Sequence, residues 1–214
     1  MSDGRLSQTI EPLADVLDEG TVDRDPFQLF RQWFDAAMNS GARMPDAMTL
    51  ATASKDGAPS ARVVLLKKLD QDGLVFYTNY NSRKARELDE NPRAALVLYW
   101  SQLDRQVRAE GTVERVSETE SDEYFRTRPR ESQLGALASP QSEVIEGREI
   151  LEKGFRDLEE AYRDREIDRP EHWGGYRLRP TRIEFWQNRS GRLHDRIVYE
   201  RQDDGDWTIA RLAP

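Results

Sequence analysis

Cysteine is absent from the 214 residues, which removes disulfides, thiolate nucleophiles, zinc knuckles and iron–sulfur ligation together. Histidine occurs only at positions 172 and 194, and no His-Glu-x-x-His pairing exists to hold a catalytic zinc; we expect no metal. Uninterrupted apolar runs are only a few residues long, as in Val63 to Leu66, against the roughly 20 that a membrane-spanning helix needs. The chain opens Met-Ser-Asp-Gly, without the basic-then-apolar pattern of a signal peptide, so a soluble protein of the cytoplasm is expected. A Gly-x-Ser-x-Gly elbow, a Gly-x-Gly-x-x-Gly fingerprint and a Walker loop are also missing. Serine-hydrolase chemistry and Rossmann-type nucleotide binding lose their usual signals.

What is present is a globular composition, 37% hydrophobic and 9% aromatic against 34% charged, on a chain long enough for one substantial core. The formal net charge of −8 argues against general nucleic-acid binding. It is unevenly spread. Residues 1–25 carry 7 acidic and 2 basic side chains, and residues 118–171 carry 16 and 9. The remainder, with 17 acidic and 21 basic, sums to +4, so a small anion has basic territory to occupy.

Residues 1–24 lack periodicity and read as an N-terminal arm, leaving 25–214 as one domain. Asp25 as N-cap and Pro26 at the first helical position open a helix with apolar residues from Phe27 to Met38, and Gly41 stops it. Strands follow at Met48 to Ala53, Ser60 to Leu69 and Leu74 to Thr78, separated by Asp56-Gly57 and Asp72-Gly73. Ser82 caps a short helix, Arg83 to Glu90, before strands at Ala94 to Trp100 and Gln106 to Val116. Ser117 and Glu120 have capping-box spacing for a helix through Phe125, and Pro129 and Pro140 bracket another. Leu151, Phe155, Leu158 and Tyr162 mark one face of an acidic helix. Strands at Tyr176 to Gln187, Leu193 to Arg201 and Trp207 to Leu212 end the chain. This order predicts a mainly β fold with flanking helices, its antiparallel sheet closing into a barrel.

Cations beside strands carry the chemical signal. Arg62 and Lys67 flank the apolar run Val63, Val64, Leu65, Leu66, where they either snorkel to solvent or meet an anion. Ser82-Arg83-Lys84 puts a hydroxyl and two cations at a helix N-terminus, where cations oppose the helix dipole; the segment is a phosphate seat or simply exposed charge. Tyr124, Arg128 and Ser132, at i, i+4 and i+8, form one polar face of phosphate-clamp chemistry if Pro129 does not break the register. Alternation sends Arg192, His194 and Arg196 to one side of a strand, where they repel unless an anion or solvent lies between.

In order along the chain, Arg-Val-Val-Leu-Leu-Lys (62–67), Phe-Tyr-Thr-Asn (76–79), Ser-Arg-Lys (82–84), Arg-Gln-Val (105–107) and Tyr-Phe-x-x-Arg-Pro-Arg-x-Ser-Gln (124–133) occur. Gln-Ser (141–142), Trp-Gly-Gly-Tyr (173–176), Ile-Glu-Phe-Trp-Gln (183–187), Arg-Leu-His-Asp-Arg (192–196) and Arg-Leu-Ala-Pro (211–214) follow. From Asp25 to Pro214 this ordered set resembles the pyridoxine/pyridoxamine 5′-phosphate oxidase family. The resemblance implies an FMN-binding split β-barrel, a homodimer with FMN at the subunit interface, and oxidation of pyridoxine or pyridoxamine 5′-phosphate to pyridoxal 5′-phosphate. Molecular oxygen is then the acceptor, with hydrogen peroxide released, and ammonia from the amine.

By that resemblance, Arg62, Val63, Val64, Leu65, Leu66, Lys67, Tyr77, Thr78, Arg83 and Lys84 hold the flavin, the cations taking its phosphate. Gln106, Gln141, Ser142, Trp186 and Arg196 complete the flavin site, partly from the other subunit. Lys67, Tyr124, Arg128 and Ser132 take the substrate's 5′-phosphate, and Arg192, Leu193 and His194 lie over its pyridine ring, with Arg192 and His194 as the catalytic pair. The family usually carries a basic residue and a tyrosine in its N-terminal arm; here Thr9-Ile10-Glu11-Pro12 stands there, and no tyrosine precedes Tyr77. The alternatives are a related FMN oxidase of the phenazine-pathway type, a non-catalytic split-barrel flavin or haem binder, and a nucleic-acid-binding barrel.

Overall fold

Asp25 opens the first helix as its chemistry predicts: its carboxylate accepts from the Phe27 N–H at 2.9 Å, and Pro26 occupies the first turn of α1 (Pro26–Asn39). Gly41, at φ 77°, turns the chain out of it. The computed structural model describes residues 16–214, so the Thr9–Pro12 departure lies outside the described residues. Nine strands follow: β1 (Ala47–Ala53), β2 (Pro59–Leu65), β3 (Lys68–Asp70), β4 (Gly73–Asn79), β5 (Arg93–Trp100), β6 (Arg105–Arg115), β7 (Trp173–Gln187), β8 (Asp195–Arg201) and β9 (Trp207–Arg211). The helices between them are α2 (Arg83–Glu90), α3 (Glu118–Thr127), α4 (Arg130–Ala138) and α5 (Arg148–Ala161). Among the described residues, no helix is long and apolar enough to cross a membrane.

Every strand pair is antiparallel, in the order β2-β1-β5-β6-β7-β4-β3, with β8 added to β7 and β9 to β8. The two ends of that order are neighbours in sequence. The single strand expected over Ser60 to Leu69 is bent at Leu66-Lys67, where the Leu66 N–H donates to Asp46 O (2.8 Å) and the Lys67 N–H to Val75 O (2.9 Å). One bent segment therefore pairs with both edges of the sheet and closes the barrel at a corner.

β7 is the other organising element. Along one edge it pairs with β6; along the other, Trp173–Leu178 pair with β4 and Arg182–Gln187 with β8. The changeover falls at Arg179-Pro180-Thr181, where proline has no N–H to offer a ladder. β6 shifts register opposite it, between Glu110 and Gly111. Gly111 is required by contact: a Cβ there would lie 2.0 Å from the Arg179 carbonyl oxygen.

Alternate residues of these strands enclose one core, with Leu50, Leu74, Phe76, Leu96, Val107, Leu178, Ile183 and Phe185 fully buried. α1 seals it, setting Trp33 edge-on to Phe185 (5.3 Å between ring centroids) and Phe30 edge-on to Trp100 (6.5 Å). A smaller cluster of Phe125, Leu134, Ile167 and Trp173 lies under α3, α4 and the Phe155, Leu158 and Tyr162 face of α5. The expected capping box is half made. Ser117 Oγ accepts from the Glu120 N–H at 3.1 Å, but the Glu120 carboxylate turns away to Lys68 and to buried Arg177, both at 3.2 Å.

Gly111→Ala should destabilise the fold by about 3 kcal/mol, because the new methyl meets backbone that cannot swing away. Gly57→Ala, at φ 88° with open space around it, should cost only about 1 kcal/mol of left-handed strain. Urea midpoints of the two variants test the difference; equal shifts would contradict the close approach.

Candidate active site

The bend that closes the barrel also opens a cavity. The end of β2, the Leu66-Lys67 corner, β4 and the start of α2 form one wall, and the α3–α4 junction forms the other, around about 660 Å³. Of the expected site residues, Val63, Val64, Leu65, Lys67, Tyr77, Thr78 and Lys84 line it from the first wall. Tyr124, Arg128 and Ser132 line it from the second, with Gln141 beside Lys84. Three cations face this space, and among the described residues none of the lining side chains is a carboxylate.

Each cation is held differently. Lys67 Nζ pairs with Asp46 at 2.8 Å. Lys84 Nζ donates to Thr78 Oγ1 (3.0 Å), Ser82 Oγ (3.2 Å) and Gln141 Oε1 (2.8 Å), which are all neutral acceptors. Burial, reinforced by the nearby Arg62 charge, pulls the Lys84 ammonium down to about 8, so this lysine is short of an anion. Ser82 is the N-cap of α2 by position, but its hydroxyl makes no capping bond and instead accepts from Lys84, correcting the capping role expected for it.

Arg128 is the least satisfied. Pro129 breaks the helix, so the expected single face of Tyr124, Arg128 and Ser132 does not exist; Arg128 is the residue that ends α3, and Ser132 lies in the first turn of α4. The corner nevertheless points all three into the cavity. The Arg128 guanidinium lies 4.5 Å over the Trp173 ring and 5.5 Å from that of Phe125. Its buried Nη1 has no hydrogen-bond partner among the described residues. Burial draws its pKa below the usual arginine value. Trp173 belongs to an aromatic stack in which Tyr77 lies 3.9 Å from Tyr124 and 5.5 Å from Trp173, with interplanar angles of 18° and 11°. Burial raises the Tyr77 phenol, which stays protonated.

Arg62, Leu66, Arg83 and Ser142 stand off the cavity lining. Leu66 is core, at 5% exposure, and Ser142 sits in a turn at φ 74°. Arg62 and Arg83 both reach Glu87 of α2, at 3.3 and 2.8 Å. Trp173, Thr127 and Pro129 line the cavity although the sequence reading gave them no role. Trp173 and Pro129 had a signal, their places in Trp-Gly-Gly-Tyr (173–176) and in Tyr-Phe-x-x-Arg-Pro-Arg-x-Ser-Gln (124–133); Thr127 had none.

The remaining expected residues form a second cluster at the far end of β7. Gln106, Trp186 and Arg196 are direct neighbours across β6, β7 and β8. The His194 ring lies 4.7 Å from that of Trp186, and its Nδ1 accepts from the Arg189 N–H at 3.2 Å. Arg192, His194 and Arg196 do not share a strand face as expected, because β8 begins only at Asp195. Arg192 ends a 3-10 turn at φ 62°, after Gly191 at φ 66°, and Leu193 is 73% exposed. Nor does Arg196 await an anion: Glu184 accepts from its Nε at 2.9 Å and Ala213 O from its Nη1 at 2.9 Å. The 13 residue steps from Trp173 to Trp186 correspond to roughly 40 Å of extended strand. Within one chain the second cluster does not join the cavity. Among the described residues, no group of three or more His, Asp or Glu is arranged to hold a metal.

Comparison with known proteins places this architecture. A family profile described as pyridoxamine 5′-phosphate oxidase matches residues 34–162. One described as the pyridoxine 5′-phosphate oxidase C-terminal dimerisation region matches residues 173–214. A pyridoxine/pyridoxamine 5′-phosphate oxidase of Nostoc punctiforme is 56% identical over 214 residues, covering 100% of this chain and 98% of that protein. One of Rubrobacter xylanophilus is 57% identical over 198 residues, 92% of this chain and 91% of that protein. Among solved structures, PhzG of Burkholderia lata 383 in complex with tetrahydrophenazine-1-carboxylic acid superposes with a TM-score of 0.88 at 35% identity, covering 94% of this chain and 98% of that one. A second, a pyridoxamine 5′-phosphate oxidase-related FMN-binding protein of Nostoc punctiforme, shares the fold with a TM-score of 0.71 at 17% identity, over 90% of this chain and 100% of that one. With family profiles over both parts of the chain and full-length relatives above half identity, the protein belongs to the pyridoxine/pyridoxamine 5′-phosphate oxidase family.

Proposed function

We propose that the protein is an FMN-dependent oxidase that converts pyridoxine or pyridoxamine 5′-phosphate to pyridoxal 5′-phosphate, with molecular oxygen as acceptor. The observation that carries this reading is the cavity lining of Lys67, Lys84 and Arg128, without a carboxylate among the described residues, in which Arg128 Nη1 is buried and unpartnered among those residues. A wall of that kind fits phosphate, and FMN and the substrate each bring one. The domain is 25–214, with 1–24 as its N-terminal segment.

The residues divide between the two ligands. Arg62 to Lys67, Tyr77, Thr78, Arg83, Lys84, Gln141 and Ser142 hold FMN from one protomer, with Lys84 and the arginines at its phosphate. Lys67, Tyr124, Arg128 and Ser132 grip the substrate phosphate, with the Arg128 guanidinium set 4.5 Å over the Trp173 ring. In this reading the second cluster comes from the other copy, which the match of residues 173–214 to a dimerisation region supports: Gln106, Trp186 and Arg196 close the flavin site, and Arg192, Leu193 and His194 cover the pyridine ring. FMN held by these residues would supply the redox chemistry, acceptance of a hydride equivalent with oxygen as the final acceptor. The protein orients C4′, neutralises both phosphates and excludes water from the ring. Arg192 positions and polarises the ring without acting as a base, and His194 donates a hydrogen bond to the ring hydroxyl.

The similarity to PhzG favours one other reading, an FMN oxidase acting on a phenazine-type ring. A ligand without phosphate has no use for Tyr124, Arg128 and Ser132 on one cavity. An oxygen-electrode assay of the purified flavoprotein with pyridoxamine 5′-phosphate separates the two: oxygen uptake with formation of pyridoxal 5′-phosphate is expected. A yellow protein inert to both B6 phosphates would favour the phenazine-type reading.

Arg128→Ala should lower kcat/KM by about 1.5–3 kcal/mol, roughly 10- to 100-fold, chiefly through KM; an unchanged KM would contradict the clamp. Arg192→Ala should impair oxidation with FMN still bound, and loss of flavin would place Arg192 in the wrong role. The affinity of the apoprotein for FMN should fall as pH rises through about 8. Lys84 loses its proton there while unliganded, and a phosphate beside it favours the charged form, so binding on the alkaline side takes up a proton. Titrations between about pH 7 and pH 9 read this directly, and a flat profile would remove Lys84 from the phosphate site.

A further inference from the structure

Glu87 belongs to no group of residues so far given a ligand, yet it is among the most heavily hydrogen-bonded side chains of the fold. It sits on α2 at 6% exposure, and a carboxylate so buried is costly unless it is paired and fully bonded. It is. Oε2 accepts from Thr52 Oγ1 (2.5 Å) on β1, and from Ser60 Oγ (2.5 Å) and Arg62 Nη2 (3.3 Å) on β2. Oε1 accepts from Arg83 Nε at 2.8 Å. Thr52 Oγ1 accepts in turn from Arg62 Nη1 at 2.5 Å, and Ser60 Oγ accepts from Arg62 Nη2. The Arg62 guanidinium is thus fixed by two hydroxyls, one carboxylate and the Leu50 carbonyl, which accepts from Nη1 at 3.3 Å.

Both arginines assigned above to the flavin phosphate are therefore tied to the same carboxylate. Arg62 is also near enough to Lys84 for their charges to oppose each other. A carboxylate beside a phosphate seat repels the ligand it serves, so its presence requires a compensating gain. We propose that Glu87 is a positioning residue, which aims Arg62 and Arg83 as a pair at the phosphate end of FMN and balances their charge until that phosphate arrives. Burial alone would push the Glu87 carboxyl up, but the bonds from Ser60, Thr52, Arg83 and Arg62 hold it at about 2, so it stays ionised wherever the enzyme works. The proposal rests on the reading of this cation cluster as the FMN phosphate site.

The test is the ratio of apoprotein Kd values for riboflavin and FMN, which differ only by the phosphate, measured by quenching of flavin fluorescence. In Glu87→Gln the advantage of FMN over riboflavin should shrink by about tenfold or more, since Gln Nε2 faces donors and releases the arginines. An unchanged ratio, with both flavins equally weakened or equally unaffected, would make Glu87 a structural hub only and overturn the proposal. A larger FMN advantage would show that the carboxylate merely opposes phosphate, and would overturn it too. Should Glu87→Gln not fold, Glu87→Asp, which keeps the buried charge but draws it back by one methylene, is read in the same way. Arg62→Ala separates this from the underlying reading: if it leaves the FMN advantage intact, Arg62 does not take the phosphate, whatever Glu87 does.

Discussion

The pairing of β7 sets the geometry on which everything else depends. A 15-residue strand that keeps β6 along one edge but exchanges β4 for β8 along the other gives the sheet two functional ends. At the Trp173 end, β4 and the bent β2–β3 segment close the barrel and open a cation-lined cavity. At the Trp186 end, β8 adds Arg196, and the turn between β7 and β8 carries Arg192 and His194. The exchange is written in chemistry as simple as Pro180, which lacks a donor, and Gly111, which lacks the Cβ that Arg179 would strike.

The electrostatics divide along the same line. Arg196 is balanced by Glu184, Arg177 by Asp70 and Glu120, and Arg62 and Arg83 by Glu87. Lys84 and Arg128 have hydroxyls, an amide or aromatic faces instead of a carboxylate. Half-buried cations left without an acid are destabilising in the ligand-free protein. In our account that cost is offset when the phosphates bind. In that account a chain of net charge −8 binds anions by having no acid among the described residues that line one cavity, rather than by being basic overall.

Much of this was legible in the sequence. Asp25-Pro26, the Asp-Gly turns and the strand alternation fixed most elements to within a residue or two, because local capping and turn chemistry decide them. What failed involved partners distant in sequence. The bend at Leu66-Lys67 follows from barrel closure, which no local pattern encodes. Strand alternation wrongly placed Arg192 and His194 on β8, since Gly191 and Arg192 adopt positive φ in a turn that delays the strand. Helical spacing grouped Tyr124, Arg128 and Ser132, which do line one cavity, but not on a helix face: Pro129 breaks the helix, and the corner it makes brings them together. Glu87 drew no role from the sequence; its bonds to Thr52, Ser60 and Arg62 join three separate elements and exist only once α2 has docked.

The central claim is that the site is assembled from the two ends of β7 on two different chains. Coexpression of Arg128→Ala with Arg192→Ala tests it most directly. In a mixed dimer one site would carry both lesions and the other neither, so random assortment should restore about a quarter of the wild-type turnover. If each chain formed its own complete site, every site in the mixture would carry one lesion. Activity would then stay at the level of the two variants alone, and the account would be wrong.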